Sequence, residues 1–562
     1  MRLLLAGLVL IAAAPAFRDT PGLVMFRDVT AAAGITFRHD NAASSEKYLI
    51  ETMGAGAAWI DFDGDGQLDI YFANSAETLV YKSARPLRGA LYRSNGDGTF
   101  RDVTDSSGAA AEGLFGMGVA VGDYDNDGDQ DLYVIGYDRG VLYRNDGNGR
   151  FSDVTAHARA ANRGKWGSSG AWLDYDRDGR LDLVIANYVD WSAANNLYCG
   201  EERPGYRSYC HPNKYKGQAP TLLRNRGDGT FDDATEKSGL TRMPANGLGV
   251  VTFDSNGDGW TDIFIANDSM QNSLFLNRGN GTFEESAVSA GVAFGENGEV
   301  EAGMGVDAAD YDGDGRPDLF ITHLDLELNR LYRSRAGGVY EDRTMSSGLG
   351  YQAFQLSGFG VRFIDYDNDG WRDLFIANGH VLDNIQLFHP RTAFAEPKMV
   401  FRNSRGRFAD VTARLGPDLT EARVSRAAAF ADYDNDGDTD VLVTNSGQSP
   451  QLLRNEGGNR RHWLQVQLAG TKSNRDGVGA KVTIRAGTMS WTEERKGGMS
   501  YQAAHDPRLH FGLGDIARID SVEVRWPSGT VDQIANVAAD RVLRVVEGAA
   551  SRPTAATRKQ KK

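Results

Sequence analysis

A nine-residue acidic turn recurs seven times in this chain. The first copy reads DFDGDGQLD, from Asp61 to Asp69, with carboxylates at positions 1, 3, 5 and 9 and glycine at position 6. The others begin at Asp123 (DYDNDGDQD), Asp174 (DYDRDGRLD), Asp254 (DSNGDGWTD), Asp310 (DYDGDGRPD), Asp365 (DYDNDGWRD) and Asp432 (DYDNDGDTD). Carboxylates crowded this closely repel one another unless a cation sits among them. A turn that presents oxygens at positions 1, 3 and 5 around a glycine bend is the oxygen cage that a hard cation such as Ca²⁺ prefers. Mg²⁺ fits less well, because it keeps its waters.

The turns return every 51 to 80 residues, so the chain is a repeat architecture and each turn belongs to one unit. Before each turn stands a strand of small residues, such as GAGAAWI, GMGVAVG or GFGVRFI. After it comes a short apolar run, such as LDIYFAN, DLYVIGY or DLFIAN, that reads as a buried strand. Further on, LYRSNGDGTF at Leu91, LYRNDGNGRF at Leu142 and their copies read as hairpins, each ending in an FRDVT-like strand. Four strands per unit and seven units predict an all-β fold, a seven-bladed β-propeller over residues 25–457. The seventh unit lacks its FxDVT strand, and a spare FRDVT lies at residues 26–30, so the N-terminal segment is expected to supply the missing outer strand and close the ring.

After Arg460 the acidic turns stop. Strand-length runs such as HWLQVQLAG, GAKVTIRAG and IDSVEVRW predict a small β-sandwich-like domain over residues 458–548, followed by a disordered basic tail at 549–562. Within this domain His510 reads as a strand residue, and Arg475, Lys481, Arg495 and Lys496 read as a solvated basic face.

Residues 1–16, MRLLLAGLVLIAAAPA, have a positive start, an apolar centre and an A-x-A cleavage site, as in a secretory signal peptide. No stretch is long and apolar enough for a transmembrane helix, so a secreted or periplasmic protein is expected. In that setting Cys199 and Cys210 read as a disulfide tying down a long insertion. The formal charge of −15 excludes nucleic acid as the main partner. More than a third of the 76 acidic residues lie in the seven turns, and up to seven structural calcium ions would bring the chain close to neutrality.

The side-chain ligands expected are Asp61, Asp63, Asp65 and Asp69; Asp123, Asp125, Asp127 and Asp131; Asp174, Asp176, Asp178 and Asp182; Asp254, Asn256, Asp258 and Asp262; Asp310, Asp312, Asp314 and Asp318; Asp365, Asp367, Asp369 and Asp373; and Asp432, Asp434, Asp436 and Asp440. Residues at position 7 vary freely, which suits a main-chain carbonyl ligand. The fourth turn has Asn256 where the others carry a third-position carboxylate, and weaker binding is expected there.

Each acidic turn links the first two strands of a unit, so the loops after the second strand emerge on the opposite face. They carry Tyr188, Asp190, Trp191, Asp268, His323, Asp325, His380 and Asp383, the expected ligand face. The sequence has no GxSxG elbow, phosphate-binding GxxxxGK[ST] or HExxH. A binding or adhesion module for an extracellular protein or glycan is therefore the first expectation. An extracellular enzyme acting on a glycan or another polymer, with His323 and His380 at its site, is the alternative.

The acidic turns behind small-residue GxG strands resemble the FG-GAP and VCBS repeats of integrin α-chain propellers and bacterial exported proteins. HWLQVQLAGTKSNRDGVGAKV, DPRLHFGLG and VEVRWPSG resemble the ASPIC/UnbV domain, and the combination is similar to the cartilage acidic protein family. The resemblance implies a secreted calcium-binding propeller followed by a β-domain and carries no defined activity.

Overall fold

A computed structural model describes residues 24–549. The signal-like segment 1–16 and residues 550–562 of the basic tail lie outside the described residues.

The chain is all-β and propeller-like. Among the described residues, seven antiparallel sheets each contain a core of four strands in the same order. In the first sheet these are Ala57–Ile60, Asp69–Phe72, Ala90–Ser94 and Phe100–Asp102. The innermost strands neighbour one another in a cycle that returns from Ser425–Ala431 to Ala57–Ile60. Side chains alternate along each strand, so every sheet feeds two apolar layers, one toward each neighbour. Trp59, Ile70 and Phe72 of the first sheet pack against Ala429 and Leu442 of the seventh, whereas Ala58, Ile60 and Tyr71 pack against Val119, Leu132 and Val134 of the second. The second strands are therefore buried on both sides, which explains their unbroken apolar runs.

The repeated motifs are cross-links. Thr104 accepts the backbone N–H of Leu91 and donates its hydroxyl to Asp102, so the DVT triplet ties the outer strand to the third. The asparagine of LYRN ties sheet to sheet: Asn145 donates to Phe62 O of the preceding sheet and Asn225 to Tyr124 O. The strand Met25–Asp28 pairs antiparallel with Gln451–Glu456 as the outer strand of the seventh sheet. Thr30 there accepts the N–H of Leu452 and donates to Asp28, repeating the DVT bonding.

After the ring, a three-stranded sheet centred on His462–Ala469 faces a four-stranded sheet centred on Lys481–Ala486 and Arg518–Arg525. Leu464, Val466 and Phe511 from one sheet and Val482, Ile484, Val522 and Val524 from the other share one core. His462–Ala469 pairs in parallel with Arg541–Val546.

This unit lies on the acidic-turn face. Trp491 Nε1 donates to Gly370 O, and Gln465 Nε2 donates to Asp432 Oδ2 at 2.7 Å. Residues 495–507 leave it as a finger that enters the ring. Ser500 Oγ accepts the N–H of Val361, and Tyr501 at the tip donates to Met53 O at 2.7 Å. The returning limb pairs Ala503–Ala504 in parallel with Ala57 and Ala58 of the first sheet. The small residues of the inner strands make this possible: a Cβ on Gly249 would meet the carbonyls of Met304 and Ser500.

The expected solvated basic face is corrected by this docking. Arg475 is exposed, but Lys496 is buried, with Nζ 3.2 Å from Asp307 Oδ1, and Lys481 points into the fourth acidic turn. Their partners lie a whole domain away in sequence, on the face that the unit covers. His510 lies on the strand Leu509–Gly514, with Nε2 2.7 Å from Asn368 Oδ1.

Candidate functional site

The acidic turns share one hydrogen-bond scheme. In the first, Asp61 accepts the N–H groups of Asp65 and Gly66, Asp65 accepts that of Gln67, and Asp69 accepts those of Phe62 and Ser94. The same five backbone-to-carboxylate bonds organise the third turn, where Asp174 accepts the N–H groups of Asp178 and Gly179, Asp178 accepts that of Arg180, and Asp182 accepts those of Tyr175 and Asn225. Positions 4 and 6 both take the left-handed backbone, φ 69° at Gly64 and 81° at Gly66, and Asn126, Arg177, Asn368 and Asn435 hold position 4 in other copies.

Position 3 is treated differently. Asp63 Oδ2 pairs with Arg93, Asp176 Oδ2 with Arg224 at 2.7 Å, and Asp367 Oδ2 with Arg402 at 3.3 Å. The other oxygen of each, together with Asp434 Oδ1, is buried without a hydrogen-bond partner. A buried unpartnered carboxylate oxygen is costly. Carboxylate oxygens of Asp61, Asp63 and Asp69 lie within 4.8 Å of one another, as do those of Asp174, Asp176 and Asp182, and of Asp365, Asp367 and Asp373. Burial, with repulsion from neighbouring carboxylates adding to it, pushes the carboxyl of Asp69 up to about 8 and that of Asp174 to about 7. The donor set is hard oxygen, with an unsatisfied third-position atom in four of the turns, and it fits a divalent cation such as Ca²⁺. A bound ion would supply positive charge that holds these carboxylates ionised and together.

On the opposite face the structure brings Tyr188, Asp268, Asp325 and His380 to one cavity of about 380 Å³. Tyr188 donates to Asp268 Oδ2 at 2.6 Å, and burial raises the Asp268 carboxyl above the usual range. His380 Nδ1 accepts the N–H of Leu382, so Nε2 carries the proton and donates to Asp325 at 3.0 Å.

Four residues expected on this face do not line the cavity. Trp191 is buried against Tyr48, Tyr137 and Trp166. His323 is fully buried 3.8 Å from Glu301, and burial followed by the Arg330 charge pushes it down to about 3. Asp190 is exposed and accepts the N–H of Lys216. Asp383 pairs with Lys47 at 2.5 Å.

The cavity also has a wall that motif reading missed, formed by Leu49, Met53, Tyr209, Ile385 and Phe388. Tyr209 and Cys210 belong to the insertion, where Cys199 and Cys210 form a disulfide. Apolar residues inside a polar insertion were the available signal.

The FG-GAP-like repeat family matches residues 61–134, 123–185, 213–265, 254–321 and 365–443, and the ASPIC and UnbV family matches 470–552. Cartilage acidic protein 1 of Xenopus tropicalis is 26% identical over 506 residues, covering 85% of this chain and 70% of the relative. Its Homo sapiens counterpart is 27% identical over 515 residues, covering 88% and 71%. The solved structure of an Agrocybe aegerita lectin shares 16% identity at a TM-score of 0.38, over 71% of this chain and 87% of that one, a likeness too distant to bear on binding.

Proposed function

The chain belongs to the FG-GAP-like repeat family and carries an ASPIC and UnbV domain, and from that premise we propose an exported, calcium-stabilised binding module. Calcium is structural in this reading. The unpartnered third-position oxygens of Asp63, Asp176, Asp367 and Asp434 support it, because each is buried beside further carboxylates. Export is supported by the signal-like first 16 residues and the Cys199–Cys210 disulfide.

The observation that carries the binding role is the contrast between the two faces. The C-terminal unit covers acidic turns on one face, while the other holds the cavity of about 380 Å³ with carboxylates and imidazoles set in an apolar wall. Such a mixture holds an extracellular ligand by apolar contact and a few oriented polar groups. A glycan array and a pull-down of extracellular proteins test this with wild type and Asp268→Asn/His380→Ala. Capture by wild type that is lost in the variant, with the calcium content unchanged, supports the reading. Capture that survives the substitutions removes the cavity from it.

The His380–Asp325 pair favours one second reading, acid–base chemistry on a glycan at the same cavity. Release of soluble sugar from a captured polysaccharide, abolished by His380→Ala, would select it over binding alone.

A further inference from the structure

The fourth acidic turn is built differently from the others. Asn256 engages both ends of its amide with Asp258: Nδ2 donates to Asp258 Oδ2 at 3.0 Å, and Oδ1 accepts the Asp258 N–H at 2.9 Å. No oxygen is left there in the state of Asp63 or Asp176 Oδ1, buried and unpartnered, among the described residues. The second and fifth turns share that trait, since Asp125 and Asp312 Oδ1 accept a fifth-position N–H at 3.4 and 3.3 Å, but both remain carboxylates whereas Asn256 is a neutral amide. The strand arginine is also missing. Arg93, Arg224, Arg333 and Arg402 reach the third- and fifth-position carboxylates of their turns, and Leu276 holds the equivalent place in the fourth. One acid and the cation that balances it are thus absent together.

A cation is nevertheless present. Lys481, the first residue of a C-terminal strand, places Nζ 2.6 Å from Asp254 Oδ2. Glu494 on the neighbouring strand accepts the Asp254 N–H at 3.2 Å and lies 3.9 Å from the same ammonium. Asp254 Oδ2 also accepts the Gly259 N–H, as the first-position Oδ2 does in the other turns, so what is particular to the fourth turn is the charged ammonium on that oxygen. Among the described residues no other lysine contacts an acidic-turn carboxylate.

We propose that Lys481 is the resident cation of the fourth turn, an ammonium tethered in the C-terminal unit that takes the place of a divalent ion and latches that unit to the ring. The fourth turn therefore does not fit a divalent cation, and the chain carries six calcium ions where its motif count suggests seven. This rests on the calcium reading of the other turns.

Elemental analysis and native mass spectrometry of the full chain in calcium test it. Wild type is expected to hold six ions, Asp310→Asn five, and Asp254→Asn still six. The double variant Asn256→Asp/Lys481→Gln is expected to hold seven. Seven ions in wild type, or a loss of one on Asp254→Asn, overturns the proposal. A folded double variant that stays at six overturns Lys481 as the occupant. If the double variant fails to fold, the Asp254→Asn and Asp310→Asn pair decides alone. Absence of calcium from every variant refutes the calcium reading itself, an outcome distinct from any of these.

Discussion

Asp69 Oδ1 accepts the backbone N–H of Ser94 at 2.7 Å, which ties the end of an acidic turn to the third strand of its sheet. The same bond joins Asp131 to Asn145, Asp182 to Asn225, Asp262 to Asn277, Asp318 to Ser334, Asp373 to Asn403 and Asp440 to Asn455. The other oxygen of Asp69 accepts the Phe62 N–H across the mouth of the turn. Position 9 thus serves the sheet, while position 3 carries the unpartnered oxygen that the proposed calcium reading uses.

Positions 3 and 9 should separate on mutation. Asp69→Ala strands two buried N–H groups and is expected to cost about 2–5 kcal/mol even in chelator. Asp63→Asn should leave the melting temperature in chelator nearly unchanged and shrink the rise on adding calcium. Thermal melts of both variants with and without calcium decide it, and equal behaviour would contradict the assignment.

Chelation should lower the melting temperature of wild type steeply. An ion at a hundred times its dissociation constant contributes about 2.7 kcal/mol per site. Scanning calorimetry in calcium and in EDTA measures the difference, and superimposable traces would sink the structural role of calcium.

The finger tip is expected to be sensitive. Tyr501 is fully buried, donates to Met53 O and packs edge-on to Phe359 with ring centroids 5.0 Å apart. Tyr501→Ala should cost about 3–5 kcal/mol and Tyr501→Phe only about 1 kcal/mol. Denaturant midpoints rank the two. A neutral alanine variant would mean that the finger is not seated in solution.

Acid should destabilise the fold through His39. Burial pushes its imidazole down to about 4, the ring is 2% exposed, and Nδ1 accepts the Gly447 N–H. The unfolded chain binds the proton near pH 6.5, so this contribution is intact above that pH and is lost as pH falls toward 4. The loss is on the order of 3 kcal/mol. Melts from pH 7 to pH 4 should fall less steeply for His39→Gln than for wild type.

Much of this was legible because the repeats report their own bonding. An acidic turn fixes where two strands meet, and the asparagine of LYRN and the threonine of DVT mark the cross-links on either side. The left-handed fourth position was visible as the run of glycine and asparagine there, with Arg177 as the exception. The docking of the last unit was not legible. Lys481 and Asp254 lie 227 residues apart, and Lys481 alone reads as an ordinary surface charge. The finger carried no strand period, since residues 497–504 read GGMSYQAA, a run of small residues around one tyrosine that fits a narrow bore. His323 and Trp191 were misjudged for a related reason. Loop position predicts exposure, but the ring mouth is filled by residues 42–53, including Tyr48, Leu49 and Ile50, and by the insertion.

The position of the finger in the chain also implies an order of assembly. A chain made from its N-terminus completes all seven sheets, with the closing strand Met25–Asp28 already made, before residues 495–507 emerge. The ring can therefore shut first around an open bore, and the finger enters afterwards from a single side. In that order the finger is the last piece to be seated, and a chain stopped at residue 457 would lack the segment that fills the axle hole.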